Sequence, residues 1–479
     1  MLDVITLHSA TLIALGVFLG IVVGAIPGLT ATMLIALSLP FTFTMEPIPA
    51  ISMLVGMYVG GVSGSLITAI VLRIPGTPAS VITTLDGFPM AARGEVGRAL
   101  SLGIYASFVG GIISCGFLVL LSEPLSRAAV KFSKFDYFAL VAMALVLIVT
   151  LSRGNMIRGL IAGGLGLLAA VPGADPISGS FRFTFGIQYL ENGLPMLAVL
   201  VGLFAGNQIL QEALSMGEAK PKDTEQPQKV RFSPRETLAH WKTLARCSVI
   251  GTWVGVLPGV GANVGSALAY GVERSMARDP ESFGTGSPQG IVASETANNA
   301  TVGGALVPLI ALGIPGSVVD AILLGALVIH GLQPGPFLFR NSPDMVNAIF
   351  SAAVIGNVLM LAMMLLLTPL ISRVARVPKS ILLPPLILMC VIGTFSISNS
   401  WATVVVMLVF AALGFAMERA NYPLAPFVIG FVLGPIAEAN LRSATMFTDG
   451  AILPLVLQPI PLAVMAIIAA MLLVNRRLA

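Results

Sequence analysis

Four Pro-Gly pairs interrupt apolar runs of this 479-residue chain: Pro27-Gly28, Pro75-Gly76, Pro258-Gly259 and Pro315-Gly316. Proline removes a backbone donor and clashes with the preceding turn, while glycine accepts backbone angles that other residues refuse. Inside an apolar helix such a pair frees carbonyls before the break and N–H groups after it. In hydrocarbon each unsatisfied group costs several kcal/mol, so a break persists where it lines a polar cavity. Freed carbonyls suit a Na⁺ ion, and the N-terminus of the following helical segment suits a carboxylate. The neighbours of the breaks fit that chemistry. Thr30 and Thr32 follow the first, Thr77 and Ser80 the second, Gly261 and Asn263 the third, and Ser317 the fourth. Small hydroxyls and amides complete an ion's coordination or bond a carboxylate without burying fixed charge.

A second group of polar residues opens the apolar run that ends at Pro315. Ala293-Ser-Glu-Thr-Ala-Asn-Asn-Ala300 places a carboxylate early in a helix, where the macrodipole favours it, and two amides one turn deeper. Asn298, Asn299 and Thr301 are predicted to face the cavity, with Glu295 as a cation or gating residue or simply the polar start of a helix. Asp320, in an apolar run just past the fourth break, is a functional candidate, as a cation or gating residue, because intramembrane charge is rare. Arg73, before the second break, either neutralises an anionic substrate or extends to an interface. Glu438 and Arg442, four apart, suit a local pair.

The elements that must position these residues are duplicated. GIVVGAIPGLTATM from Gly20 and VSGSLITAIVLRIPGTPAS from Val62 return, about 240 residues later, as GTWVGVLPGVGANV from Gly251 and VGGALVPLIALGIPGSVVD from Val302. PMLAVLVGLFAG from Pro195 returns as PFVIGFVLG from Pro426, aligning Gly202 with Gly430 and Gly206 with Gly434. The reading is a first repeat over 1–213, a basic linker over 214–243, a second repeat over 244–440, and an extra C-terminal helix and tail over 441–479. Duplicated halves whose apolar helices break at matching places are the pattern of a secondary carrier, with the site near the bilayer midplane.

Composition sets the solvent. At 56% hydrophobic, 10% charged and a mean hydropathy of +0.95, the chain has too little charge for a water-facing surface. Long continuous apolar runs, rather than short alternating strands, exclude a transmembrane barrel and predict an all-α polytopic membrane protein of roughly eleven to fourteen segments. Cys115, Cys247 and Cys390 show neither disulfide nor metal spacing. The net charge of +4 comes from loop cations and carries no nucleic-acid signal. The first apolar run lacks a basic leader and reads as a retained helix. Glu218–Arg246 holds seven Lys/Arg against four Asp/Glu, which with Arg476 and Arg477 predicts a cytoplasmic linker and C-terminus. Residues 1–9 carry no Lys or Arg, which predicts an N-terminus outside and therefore two repeats of inverted orientation.

Taken in order, the GxxxGxxPG runs at Gly20 and Gly251, the IPGTPAS and IPGS loops, ASETANNA and PFVIGFVLGPIAEANLR resemble the large permease subunit of the tripartite tricarboxylate transporters. The likeness covers essentially the whole chain. It implies a cation-coupled bacterial inner-membrane uptake system, with Na⁺ or H⁺ as coupling ion and no other cofactor. In such systems a periplasmic solute-binding protein delivers a carboxylate, and a smaller four-helix membrane protein works beside the permease. The resemblance also places the Pro-Gly loops and ASETANNA in the transport site.

Two other classes compete. A passive channel or membrane scaffold also uses broken helices, but duplicated halves in one chain suit alternating access better than a filter. An intramembrane serine protease would use the GxSG text at Gly61-Val-Ser63-Gly64 with His330 as base. The repeat counterpart Thr301-Val-Gly303-Gly304 holds glycine there, as close helix packing requires. No HExxH or Walker A text is present. Paired re-entrant hairpins favour an elevator movement over rocking. A bulky residue at Gly76 or Gly316 is expected to abolish transport with expression intact.

Overall fold

In the computed structural model the described residues are 4–151, 156–175, 178–214, 233–258, 261–374, 379–448 and 457–466. Gly259, most of the basic linker, and Arg476 and Arg477 lie outside them.

The first half runs α1 (Leu7–Gly24), α2 (Ala31–Thr42), α3 (Pro47–Val71), α4 (Val81–Ala92), α5 (Val96–Ala129), α6 (Lys134–Leu151) and α7 (Met156–Ala169). After a two-stranded hairpin, β1 (Gly173–Ala174) and β2 (Phe181–Arg182), come α8 (Met196–Leu200), a π-helical stretch over Val201–Gly206 and α9 (Asn207–Leu214). Two helices then lead into the second half, α10 (Pro234–Ala239) and α11 (Trp241–Val256). That half continues with α12 (Gly261–Met276), α13 (Pro288–Leu312), α14 (Val318–Ile329), α15 (Pro336–Asn341), α16 (Pro343–Val374), α17 (Lys379–Ser398), α18 (Trp401–Arg419) and α19 (Leu424–Phe447).

The protein is thus an all-α polytopic membrane protein. Among the described residues seven helices are long and apolar enough to cross a bilayer, and four shorter ones are apolar. Burial follows the membrane pattern. Leu366, Ile381, Trp401 and Leu408 lie on the outside, while Ser63, Thr68, Glu295, Asn298 and Asp320 are enclosed.

The duplication seen as text extends to helix packing. Glycines let helix backbones approach closely where the apolar solvent offers no hydrophobic drive. A side chain at Gly20 would strike the Met57 carbonyl, and one at its counterpart Gly251 would strike that of Ala297. Gly24 meets Gly61, and Gly255 meets Thr301. Gly64 meets the Ile21 carbonyl, and Gly304 meets that of Thr252. Each pair of partners is also a pair of repeat equivalents, so α1 against α3 and α11 against α13 are the same contact built twice.

The longest helices cross between the halves. α5 packs along α13, where Gly110 sits against the Thr296 carbonyl, while α16 packs along α3 and α1. The last helix of each half does likewise. The α8–α9 segment lies on α18, with Gly202 against the Met407 carbonyl, and α19 lies on α7, with Gly430 against that of Gly163. The polar stretch read as linker is helical from Pro234, and Glu236 on α10 pairs with Arg98 on α5 at 2.5 Å.

Candidate functional site

The second and fourth breaks have one construction. Helix α3 ends with Ile74 N–H bonding back to the Thr68 carbonyl at 3.3 Å, and α13 ends with Ile314 N–H to Pro308 at 3.2 Å. The residue just before each of those isoleucines is left-handed: Arg73 at φ 57° and Gly313 at φ 71°. This is the usual glycine end of a helix, but in the first half arginine occupies it, exposed and lying 5.4 Å over the Phe88 ring. The chain then turns through Pro75-Gly76 or Pro315-Gly316 and restarts as a twelve-residue helix, α4 or α14. Gly76 packs on the Gly24 carbonyl, and a Cβ at Gly316 would lie 2.8 Å from that of Gly255. Both glycines are needed where the break presses on α1 or α11.

Thr77 and Ser317 begin the restarted segments. At the first, Thr77 N–H donates to Ser80 Oγ at 3.2 Å and Ser80 Oγ donates to the Thr77 carbonyl at 2.8 Å. Thr77 also donates to Ser65 at 3.2 Å. At the second, Ser317 Oγ accepts from Asp320 N–H at 3.3 Å and lies 3.3 Å from the hydroxyl of Tyr58 on α3. Asp320 is wholly buried, and neither carboxylate oxygen has a hydrogen bond of ordinary geometry.

The ASETANNA segment forms two turns of α13 enclosed on every side. Glu295 is held at both oxygens, by the Thr83 hydroxyl of α4 and by Ser107 of α5 at 3.2 Å. Asn299 accepts from Ser63 Oγ at 2.6 Å and donates to the Glu295 carbonyl at 3.1 Å. Thr301 turns its hydroxyl back to the Asn298 carbonyl at 2.6 Å. Asn298 beside them is fully buried; its amide faces the Glu295 carboxylate, and neither amide atom makes a hydrogen bond of ordinary geometry. Ser63 gives its proton to Asn299 and to the Val59 carbonyl, so no base stands in hydrogen-bond contact with it, His330 included.

The first and third breaks are more open. Pro27 and Gly28 are half-buried, with Gly28 at φ 89°, and Thr30 caps α2 by accepting from Met33 N–H at 3.1 Å. Thr32 follows in the first turn, half-buried. The Gly28 carbonyl accepts from Gln208 on α9 at 2.5 Å, and the Glu212 carboxylate covers the space that a Gly28 side chain would fill. Pro258, Gly261 (φ 67°) and Asn263 are half-buried around α12's start.

The structure therefore gathers the fourth break, the second break and the α13 polar turns around the packing of α3, α13 and α14. Tyr58, Ser63, Thr83 and Ser107 belong to the same group and escaped the sequence reading. The repeat alignment carried a signal for one of them, since Tyr58 is the counterpart of Asn298. Glu438 and Arg442 do pair at 3.0 Å, but in a network with Arg182 and Asp175 that ties the hairpin to α19. Among the described residues no three His, Cys, Asp or Glu side chains converge as a metal cluster.

Comparison with known proteins agrees over nearly the full length. The family model described as the tripartite tricarboxylate transporter TctA family matches residues 11–429. An uncharacterized 52.8 kDa protein from the TAR-I ttuC' 3' region of Agrobacterium vitis is 33% identical over 452 residues, 94% of this chain and 90% of the relative. A second uncharacterized protein, from the TAR-II ttuC' 3' region of the same organism, is 35% identical over 210 residues, 44% of this chain and 87% of the relative. No solved structure matches.

Proposed function

This chain belongs to the tripartite tricarboxylate transporter TctA family, and from that membership we propose that it is the large membrane subunit of a cation-coupled uptake system for small di- or tricarboxylates. The carrying observation is the enclosed amide of Asn298 on α13, which faces the Glu295 carboxylate without a hydrogen bond of ordinary geometry. A buried amide left short of well-made hydrogen bonds costs up to about 1–3 kcal/mol, and such a group is kept where a ligand completes it. A carboxylate is the complementary ligand for its N–H₂. The hydroxyls of Thr77 and Ser317 and the N-termini of α4 and α14 supply further donors of the same kind.

In this reading Na⁺ or H⁺ offsets the substrate's charge at the breaks. The two repeats are related by an axis in the membrane plane, and the hairpins α3–α4 and α13–α14 carry the loaded site across as one body. The chain sits in the inner membrane with its N-terminus outside and its C-terminus in the cytoplasm. A periplasmic solute-binding protein and a small four-helix membrane protein complete the system.

The test is uptake into proteoliposomes holding this chain, its small membrane subunit and the binding protein, with a pooled panel of di- and tricarboxylates read by mass spectrometry. Accumulation of one acid above its equilibrium level, lost when the Na⁺ and proton gradients are collapsed, is the expected result. Entry only down the acid's own gradient would replace the carrier with a channel.

A further inference from the structure

We propose that Asp320 holds the coupling cation, in a pocket it shares with Ser317 and, from the other half of the molecule, Tyr58; this rests on the cation-coupled reading above. The argument comes from comparing the two repeats at one position. Asp320 is the counterpart of Ser80, and both are the third residue after the cap of a restarted helix. At Ser80 a neutral hydroxyl closes the cap in both directions, with bonds of 3.2 and 2.8 Å. At Asp320 the forward bond from its N–H to Ser317 is present at 3.3 Å, while the carboxylate faces the Ser317 hydroxyl and backbone N–H without making a return bond of ordinary geometry. Capping this break therefore needs no charge, yet the second repeat carries one, wholly buried.

A buried carboxylate is costly unless something positive or strongly donating meets it. Around α14 pack α2, α3, α8, α13 and α19. α2 and α8 contain no titratable residue, and Tyr58 is the sole one on α3. On α13, Glu295 is bonded at both oxygens by Thr83 and Ser107, and on α19, Glu438 and Arg442 are engaged with Arg182 and Asp175. Among the described residues no Lys, Arg or His pairs with Asp320. Besides the backbone N–H groups of Ser317 and of its own residue, what faces it is the Ser317 hydroxyl, with the Tyr58 hydroxyl 3.3 Å beyond that. Na⁺ and H⁺ share the chemistry this site calls for, a single positive charge brought to one carboxylate and stabilised by neutral oxygens. Glu295, already bonded, acts as a strut between α13, α4 and α5.

The experiment is thermal unfolding of the purified full-length chain in detergent, in NaCl against choline chloride at equal ionic strength, at pH 6 and pH 8. The wild type is expected to melt about 5 °C higher with Na⁺ or, where the proton is the ion, at pH 6. Either response supports the site, and the one observed names the cation. Asp320→Asn and Asp320→Ser are expected to lose the response. Asp320→Ser copies the cap of Ser80 and so separates folding from cation binding. Tyr58→Phe should weaken cation affinity about tenfold, equivalent to one well-made hydrogen bond to a charged site, and Glu295→Gln should keep the full response. A full response in both Asp320 variants, or its loss in Glu295→Gln alone, overturns the assignment while cation coupling stands. A wild type indifferent to both ions overturns the coupling as well.

Discussion

Asn298 and Asn299 are neighbours on α13, equally buried, and in opposite circumstances. Asn299 is bonded at both ends, to Ser63 and to the Glu295 carbonyl, whereas Asn298 has only the Glu295 carboxylate beside its amide and makes no hydrogen bond of ordinary geometry. Replacing an unsatisfied buried amide by an apolar group of similar shape removes a penalty, while removing one partner of a made bond creates one. Asn298→Leu is therefore expected to melt close to the wild-type temperature and to lose carboxylate uptake at least tenfold. Asn299→Leu is expected to be destabilised by about 1–3 kcal/mol, whatever it does to uptake. Paired melting and uptake curves check both, and a stable, fully active Asn298→Leu would remove Asn298 from the site. Arg73 offers a second contrast with its twin. Its φ of 57° is the conformation that Gly313 adopts freely, and a non-glycine residue there carries strain of about 1 kcal/mol or more. Arg73→Gly should raise the melting temperature by a few degrees. Retained uptake would make the guanidinium an interfacial group over Phe88, and lost uptake would make it a substrate contact.

Whole elements are held at the breaks by more than the break itself. Asp86 on α4 is fully buried, and one of its oxygens accepts from three backbone N–H groups ahead of α13, those of Gly284 and Gly286 at 2.8 Å and Ser287 at 2.7 Å. Its other oxygen accepts from the Tyr270 hydroxyl of α12 at 2.8 Å. One carboxylate thus fixes the end of the first hairpin to the start of the second. Asp86→Ala leaves several buried donors unmet and is expected to lower stability by about 3–5 kcal/mol. A loss of protease resistance across 280–288 would report it. The same packing revises the expectation for Gly76. A bulky residue there meets the Gly24 carbonyl and Ser65, so lowered expression should accompany lost transport. Breaks and half-length helices were legible in the sequence because proline and glycine act locally and leave their mark within a few residues. Asp86 and Thr83 were not, because their roles depend on residues some 200 positions away, and Tyr58 was marked only as the repeat counterpart of Asn298. In an apolar chain with 50 glycines, small residues do not say which helix they will meet.

At the scale of the molecule the two repeats are interlocked rather than juxtaposed. Each half lends its longest helix, α5 or α16, to the central helix of the other, and each half's last helix docks on the partner's outer pair. A single half would leave Gly110, Gly202 and their neighbours facing lipid where they now meet backbone carbonyls. It would also leave Glu295 without Thr83 and Ser107, which come from the opposite half. Between the halves, 221–228 is polar and rich in proline and charge in the sequence. The halves expressed separately are therefore expected to be degraded or to aggregate. Co-expressed fragments 1–224 and 225–479, cut within that polar stretch, should assemble and retain uptake within a few-fold of the intact chain. Co-purification through a tag on one fragment measures assembly, and uptake into vesicles measures function. A half that folded and remained monodisperse alone would mean that the crossing helices α5 and α16 are dispensable for stability. The close approaches of Gly110 to Thr296 and of Gly64 to Ile21 would then have to differ in worth, because the first joins two halves and the second lies within one.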